Sequence, residues 1–215
     1  MIRLGIANPI RAAAIPALLQ LLDLYRRRGS LAYEGEGVTQ LTHAWQCGQL
    51  ARAAGASPEL TLAAWLHDIG HLASELPGSP TITGVDDAHE AVGAALIEPL
   101  FGAGVARPVA LHVHAKRYLV ATRPRYARLL SADSVRSLAL QGGPMTVDEC
   151  HRFAALPHCA DALKLRTWDE RAKRRDWNPR SPGRALEELW RLMLDVYDDD
   201  AHRCAAVVPA DRAHR

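Results

Sequence analysis

The chain has 215 residues, 48% of them hydrophobic and 23% charged, and its formal net charge is +2; this balance excludes a disordered chain and gives no reason to expect a nucleic-acid partner. None of the four cysteines forms a CxxC pair, so neither a zinc ribbon nor a thioredoxin-type site is indicated. Without a signal-peptide pattern or a run of roughly 20 apolar residues, we expect a cytoplasmic monomer or homodimer with no membrane partner.

Apolar residues recur at three- and four-residue spacing with little strand-like alternation, which predicts an all-α protein. The predicted helices cover residues 15–28, 39–55, 59–73, 86–100, 131–140, a short stretch after 146, and 160–174. One further helix is predicted to begin near Val105 and to contain His112 and Lys116. The residues that signal helix starts are Thr39 or Thr42, Ser57 before Pro58, Asp86 or Asp87, Ser131, and the capping box from Thr146 to Glu149. From residue 176 the composition changes, and an apolar stripe from Leu186 to Tyr197 predicts a last helix followed by a loose tail after Asp200.

A histidine and an aspartate stand side by side in the most apolar predicted helix, in the sequence Leu66-His67-Asp68-Ile69-Gly70-His71. A buried carboxylate is costly unless something neutralises it, and a bound cation does so directly. We therefore predict a metal site at His67 and Asp68. His71 follows one turn later on the face of His67.

Further candidate ligands fall on other predicted helices, each among apolar residues that should face the interior. The predicted set is His43, His67, Asp68, His89, His112 and Asp169. Imidazoles and carboxylates without a thiolate suit iron or manganese, and zinc less specifically. The two oxygens of Asp68 make it the natural bridge between two ions.

These residues resemble the H…HD…D signature of the HD superfamily, which implies an HD-domain helical bundle. More specifically, the chain resembles the mixed-valent diiron oxygenases of phosphonate breakdown, the PhnZ and TmpB type, which are related to myo-inositol oxygenase. The resemblance runs from about Tyr33 to Lys173 and includes HVHAKRYL at 112–119, QGG at 141–143 and RTWDERAK at 166–173. We expect residues 1–175 to form the HD domain and 176–215 a C-terminal helix and tail, packed on it or extending from it.

Position by position, the resemblance implies two iron ions, Fe(II) and Fe(III). One would be held by His43, His67, Asp68 and Asp169, and the other by Asp68, His89 and His112. In that family a tyrosine, here Tyr33, occupies an open coordination position until substrate displaces it, and a glutamate assists the movement. Glu36 matches that glutamate, but Glu34 adds a second carboxylate beside Tyr33, so the partner stays open.

Four positions match the residues that surround the phosphonate in this family: His71, Lys116, Ser134 and Arg166. Of these, His71 and Lys116 join Tyr33 and Glu36 as the expected catalytic residues. Lys116 follows ligand His112 by one turn, so its cation should face the metal cavity. Lys173, one turn after Asp169, is expected to hold that carboxylate.

The implied activity is oxidative cleavage of the carbon–phosphorus bond of a small 1-hydroxyphosphonate, with O2 as co-substrate, to phosphate and a carboxylic acid. The candidate substrates are 2-amino-1-hydroxyethylphosphonate, an N-methylated relative and hydroxymethylphosphonate. A quaternary ammonium would need aromatic faces or carboxylates, which Tyr33, Trp45, Glu34 or Glu36 would supply. The alternatives are an HD-type metal-dependent phosphohydrolase, which shares the ligand set, and a non-catalytic HD protein that binds a ligand or a partner.

Overall fold

In the computed structural model, the backbone is described for residues 9–33, 35–74 and 84–207, and the side chains for 13–33, 35–74 and 84–199. Regular structure in these ranges is helical, apart from an isolated bridge between Ala32 and Thr39. The helices are α1 Pro9–Arg28, α2 Gln40–Ala53, α3 Pro58–Leu66, α4 Ile69–Ala73, α5 His89–Thr122, α6 Pro124–Ala127, α7 Ala132–Leu140, α8 Val147–Ala154, α9 Cys159–Arg171 and α10 Pro182–Val207. The all-α prediction is confirmed.

Several helices begin where the sequence predicts, because a side-chain oxygen accepts one of the unpaired amide protons of the first turn. Thr39, rather than Thr42, caps α2. Ser57 caps α3 with Pro58 at the first helical position, and Ser131 caps α7. At α8 both reciprocal bonds of the capping box between Thr146 and Glu149 are present. Caps of this kind stabilise a helix by about 1 kcal/mol each.

The prediction of one helix over residues 59–73 is wrong, because α3 ends at Leu66 and α4 begins at Ile69. Asp68 lies between them with φ −100° and ψ 12°, in the sparsely populated bridge region. The break lets α4 run against the start of α5. A Cβ atom on Gly70 would lie 2.0 Å from the carbonyl oxygen of His89, so this approach requires glycine.

Helix α5 is a helical hairpin that reverses at Gly102, where φ is +66° and ψ −173°. A straight helix would separate His89 and His112 by about 35 Å, whereas their Nε2 atoms lie 3.1 Å apart. The sequence predicts two helices here, and the reversal agrees with that prediction. By length and composition alone α5 is apolar enough to cross a membrane, but core helices of soluble proteins also meet that criterion, and α5 packs against α3, α4 and α9.

The core is built around α3, which is buried by neighbouring helices on several sides. Leu62, Trp65 and Leu66 are fully buried, and α3 contacts α2, α5, α9 and α10. Helix α10 packs on α1 and α3, and its Leu189 and Met193 are buried in the hydrophobic core. The C-terminal helix therefore docks on the rest of the chain. It continues to Val207, past the point where the sequence predicts a loose tail.

Candidate metal centre

Four elements bring the six predicted ligands to one buried place. Helix α2 supplies His43, the α3–α4 junction supplies His67 and Asp68, the two arms of the α5 hairpin supply His89 and His112, and α9 supplies Asp169. Each of these residues is at most 7% exposed. Such a concentration of buried polar groups is costly unless the groups are paired or bind a cation.

The first half of the centre is formed by His43, His67 and Asp169 with one oxygen of Asp68. The Nε2 atom of His43 lies 3.2 Å from Nε2 of His67, 3.4 Å from Oδ1 of Asp169 and 3.5 Å from Oδ2 of Asp68. Two atoms that bind one ion at about 2.1 Å and at right angles are about 3.0 Å apart. The spacing therefore suits neighbouring ligands of a single ion.

The second half of the centre is formed by the two histidines of α5 and the other oxygen of Asp68. The Nε2 atoms of His89 and His112 lie 3.1 Å apart. They are 3.5 Å and 3.7 Å from Oδ1 of Asp68. Because the two oxygens of Asp68 face different halves, this carboxylate stands where a bridge between two ions would stand.

Hydrogen bonds on the far side of each imidazole turn its Nε2 lone pair toward the centre. In each case Nδ1 lies near an acceptor and so carries the proton. These acceptors are Ala172 O for His43 at 2.8 Å, Ala64 O for His67 at 3.0 Å, Val109 O for His112 at 2.7 Å and Asp87 Oδ1 for His89 at 3.0 Å. Two facing lone pairs cannot share a hydrogen bond, so each pair of Nε2 atoms needs either a proton on one ring or a metal ion between the two rings.

Two carboxylate oxygens support the same conclusion. Oδ2 of Asp68 and Oδ1 of Asp169 are buried and have no hydrogen-bond partner in the described part of the structure. Burial would raise the pKa of Asp169, but the Arg166 guanidinium and the nearby His43 and His67 hold it well below its usual range. A buried, ionised oxygen without a hydrogen-bond donor is suited to bind a metal ion. The residues present therefore fit two divalent or trivalent ions.

A cleft opens beside the centre and brings together the residues predicted to surround the phosphonate. Its walls include Tyr33, His71, Lys116, Ser134 and Arg166 as well as ligand residues of both halves. Among the described residues, Glu36 does not line the cleft. Its carboxylate pairs with Lys173, which does line the cleft.

Lys116 is 3% exposed, and its ammonium donates a hydrogen bond to Ser137 Oγ at 2.7 Å. No carboxylate pairs with it among the described residues. Burial, with the cation of Arg166 nearby, lowers the pKa of Lys116 from 10.5 to about 7. An anionic ligand in the cleft would therefore find a buried, poorly neutralised ammonium.

Arg166 lines the cleft and also contacts Asp169, a candidate ligand of the centre. Its guanidinium donates to Asp169, to Glu170 Oε2 at 2.6 Å, to Ser134 Oγ at 3.2 Å and to Tyr126 Oη at 2.7 Å. It links the candidate ligand Asp169 to the predicted anion-binding hydroxyl of Ser134.

The prediction that Lys173 holds Asp169 is wrong. Helix α9 ends at Arg171, so Lys173 does not lie one helical turn above Asp169. Its ammonium instead donates to the hydroxyls of Ser131 and Ser134 at 3.0 Å each, and it pairs with Glu36 and Glu170 at 3.4 Å.

The ring of Tyr33 stacks on ligand His43, with ring centroids 3.9 Å apart and planes inclined by 16°. Burial, with Asp68 and Asp169 nearby, raises the pKa of Tyr33, so its phenol stays protonated at neutral pH. Glu34 lies outside the described residues. Trp45 packs against Trp177, at 5.2 Å between ring centroids, and does not line the cleft.

Sequence reasoning missed several residues of the site. Glu170 accepts hydrogen bonds from Ser134 and Arg166, and Ser137 accepts one from Lys116. Cys47, interpreted from the sequence as a core residue, is buried with its Sγ 3.8 Å from His43 Nε2. Its position four residues after His43 on the same helix was the available signal.

The sequence is similar to that of known proteins. The HD domain family matches residues 41–138. A [1-hydroxy-2-(trimethylamino)ethyl]phosphonate dioxygenase (glycine-betaine-forming) from Leisingera caerulea is 40% identical over 153 residues, which are 71% of this chain and 78% of the relative. A hydroxymethylphosphonate dioxygenase from Gimesia maris is 40% identical over 175 residues, 80% of this chain and 87% of the relative. The chain therefore belongs to the HD-domain family, in the group that contains these phosphonate dioxygenases.

Proposed function

We propose that the protein is a dioxygenase that cleaves the carbon–phosphorus bond of a small 1-hydroxyphosphonate to phosphate and a carboxylic acid. The observation that carries the proposal is the cleft, in which Lys116, Arg166 and Ser134 lie beside a bridged pair of metal half-sites. Cations and hydroxyls of this kind bind a phosphonate dianion removed from water. The relatives named above act on two such phosphonates.

The metal centre in this proposal holds two iron ions in a mixed Fe(II)/Fe(III) state. Four imidazoles and two carboxylates form a donor set that suits iron. When bound, the ions supply the redox chemistry with O2. For hydroxymethylphosphonate, both atoms of O2 enter the products formic acid and phosphoric acid. The electrons that O2 accepts are those that the substrate loses, so no external reductant is consumed.

The chain's own residues bind and orient the substrate in this scheme. Lys116 and the hydroxyl of Ser134 contact the phosphonate oxygens, and Arg166 adds charge while it keeps Asp169 in place. His71 stands at the cleft wall beside the second half-site, where its ring stacks on ligand His89. Tyr33 covers the first half-site through its stack on His43 and, with Glu36, forms the predicted gate.

The two relatives differ in the group that follows the hydroxylated carbon, so the proposal keeps three candidate substrates. These are 2-amino-1-hydroxyethylphosphonate, its N-methylated forms and hydroxymethylphosphonate. The proposal also describes a cytoplasmic monomer or homodimer that acts on a small molecule and uses neither nucleic acid nor membrane as a partner.

The test is phosphate release by the iron-loaded protein from each candidate, measured in air and under argon. We expect release from at least one 1-hydroxyphosphonate in air and none under argon, together with a mixed-valent EPR signal that shifts when that substrate is added. Phosphate esters serve as the control for the phosphohydrolase alternative. Oxygen-independent release of phosphate from esters, without turnover of any phosphonate, would overturn the proposal.

A further inference from the structure

The carboxylate of Asp87 lies between the imidazoles of His89, a candidate metal ligand, and His71, which lines the cleft. Its Oδ1 accepts a hydrogen bond from Nδ1 of ligand His89 at 3.0 Å, and its Oδ2 accepts one from Nδ1 of His71 at 2.7 Å. The rings of His71 and His89 stack with centroids 3.8 Å apart and planes inclined by 21°. With its side chain 6% exposed, Asp87 holds a metal ligand and a residue of the cleft wall in one rigid unit.

This contact distinguishes His89 from the other three candidate ligands. His43, His67 and His112 each contact a neutral backbone carbonyl through Nδ1, whereas His89 contacts an ionised carboxylate. A carboxylate behind an imidazole increases the electron density on its Nε2 and makes it a stronger donor to a metal. The two halves of the centre are therefore unequal. The first half has Asp169 among its candidate ligands, and the second half has the carboxylate of Asp87 behind one of its imidazoles.

The backbone next to Asp87 adopts an unfavourable conformation. Ala88, between Asp87 and His89, has φ +47° and ψ 36°, a left-handed conformation that is unfavourable for a residue with a Cβ atom. The sequence predicts that Asp86 or Asp87 caps this helix, but the cap position is Ala88 and no side chain caps it. Strain of this kind persists where the surrounding structure fixes it, and it is concentrated at functional sites.

We infer that Asp87 is a positioning residue that fixes His89 as the strong donor of the second half-site and holds His71 against it at the wall of the cleft. The inference rests on the two-ion part of the proposed function. It assigns the carboxylate a role in metal affinity and metal redox behaviour, beyond its contribution to the fold.

The test compares Asp87→Asn and Asp87→Ala with Asp86→Asn, a matched neighbour whose exposed carboxylate accepts a hydrogen bond from the amide of Ala88. Each protein is loaded with iron and dialysed against a graded series of a weak chelator, and the retained iron is counted. We expect the wild type and Asp86→Asn to keep two ions. Both Asp87 variants should lose one ion at a chelator strength about 10- to 100-fold lower.

A second measurement separates positioning from simple loss of structure. Because the carboxylate favours the more highly charged ion, the midpoint potential of the iron centre should rise in Asp87→Asn and stay unchanged in Asp86→Asn. Circular dichroism of each variant checks that the helices are intact. Equal iron retention and an unchanged potential in Asp87→Asn would overturn the inference, and so would simultaneous loss of both ions. Neither readout uses a phosphonate, so a failed assay for phosphonate cleavage leaves this test valid.

Discussion

Replacement of Lys116 by methionine should stabilise the protein while it removes substrate binding. The ammonium of Lys116 is 3% exposed, and its pKa is lowered from 10.5 to about 7. The difference between these values, at about 1.4 kcal/mol for each pH unit, corresponds to about 5 kcal/mol for burial of the charge. The folded state carries this cost whenever Lys116 is protonated in it.

The direction in which stability changes with pH depends on how many protons the folded and unfolded states bind. Between pH 7 and pH 10.5 the unfolded chain keeps the proton on Lys116 and the folded chain releases it, so stability rises with pH. At pH 6 both states are protonated, and the wild type bears the full cost of about 5 kcal/mol. At pH 9 the cost falls to about 2 kcal/mol.

The assay is urea unfolding of the metal-free wild type and Lys116→Met at pH 6 and pH 9, with the difference in unfolding free energy taken at each pH. Titrations of other groups largely cancel in that difference. We expect the advantage of the variant to shrink by about 3 kcal/mol between pH 6 and pH 9. An advantage that is the same at both pH values, or a variant that is less stable at both, would refute the reasoning. The variant should retain both metal ions and bind no phosphonate.

Three further substitutions test other parts of the site. Asp68→Ala should lose both ions, measured by elemental analysis, whereas loss of one ion would contradict the bridging role. In Arg166→Lys, the ammonium cannot reproduce the forked guanidinium contacts with Asp169, Glu170 and Ser134. KM for the phosphonate should rise at least tenfold, and one ion should bind more weakly. An unchanged KM would exclude Arg166 from the anion site. Gly70→Ala places a Cβ atom 2.0 Å from the backbone of His89 and should lower the unfolding free energy by about 1–3 kcal/mol in urea titrations; unchanged stability would show that α4 can move away.

The sequence predicts the helices well because apolar spacing and capping residues are local signals. Ser57, Ser131 and Thr146 each cap the helix that the sequence assigns to them. The burial of the candidate ligands was predictable for a related reason, since a histidine or an aspartate among apolar residues on a helix has to face the interior. Six such residues meet at one place because of the tertiary structure. The family resemblance predicts this meeting, whereas local sequence patterns do not.

The predictions that failed depend on where a helix stops or bends. The chain breaks at Asp68 because Gly70 packs against the start of α5, a contact between segments far apart in sequence. Lys173 misses Asp169 because α9 ends two residues earlier, and the ends of helices are the least certain feature of a sequence-based prediction. The role of Asp87 depends on a left-handed residue, Ala88, which no side-chain pattern predicts.

The reversal of α5 at Gly102 separates the two halves of the centre in the order of synthesis and folding. The two histidines of the second half-site are 23 positions apart and come from one hairpin, a local contact that a folding chain makes early. The first half-site joins His43 to Asp169 across nearly the whole domain and waits for α9. In the proposed two-ion centre, the residues Asp68, His89 and His112 of the second half-site would all be present once the chain had been synthesised through α5. The first half-site would be complete only after α9 had supplied Asp169, so the proposal implies that the two half-sites become complete one after the other.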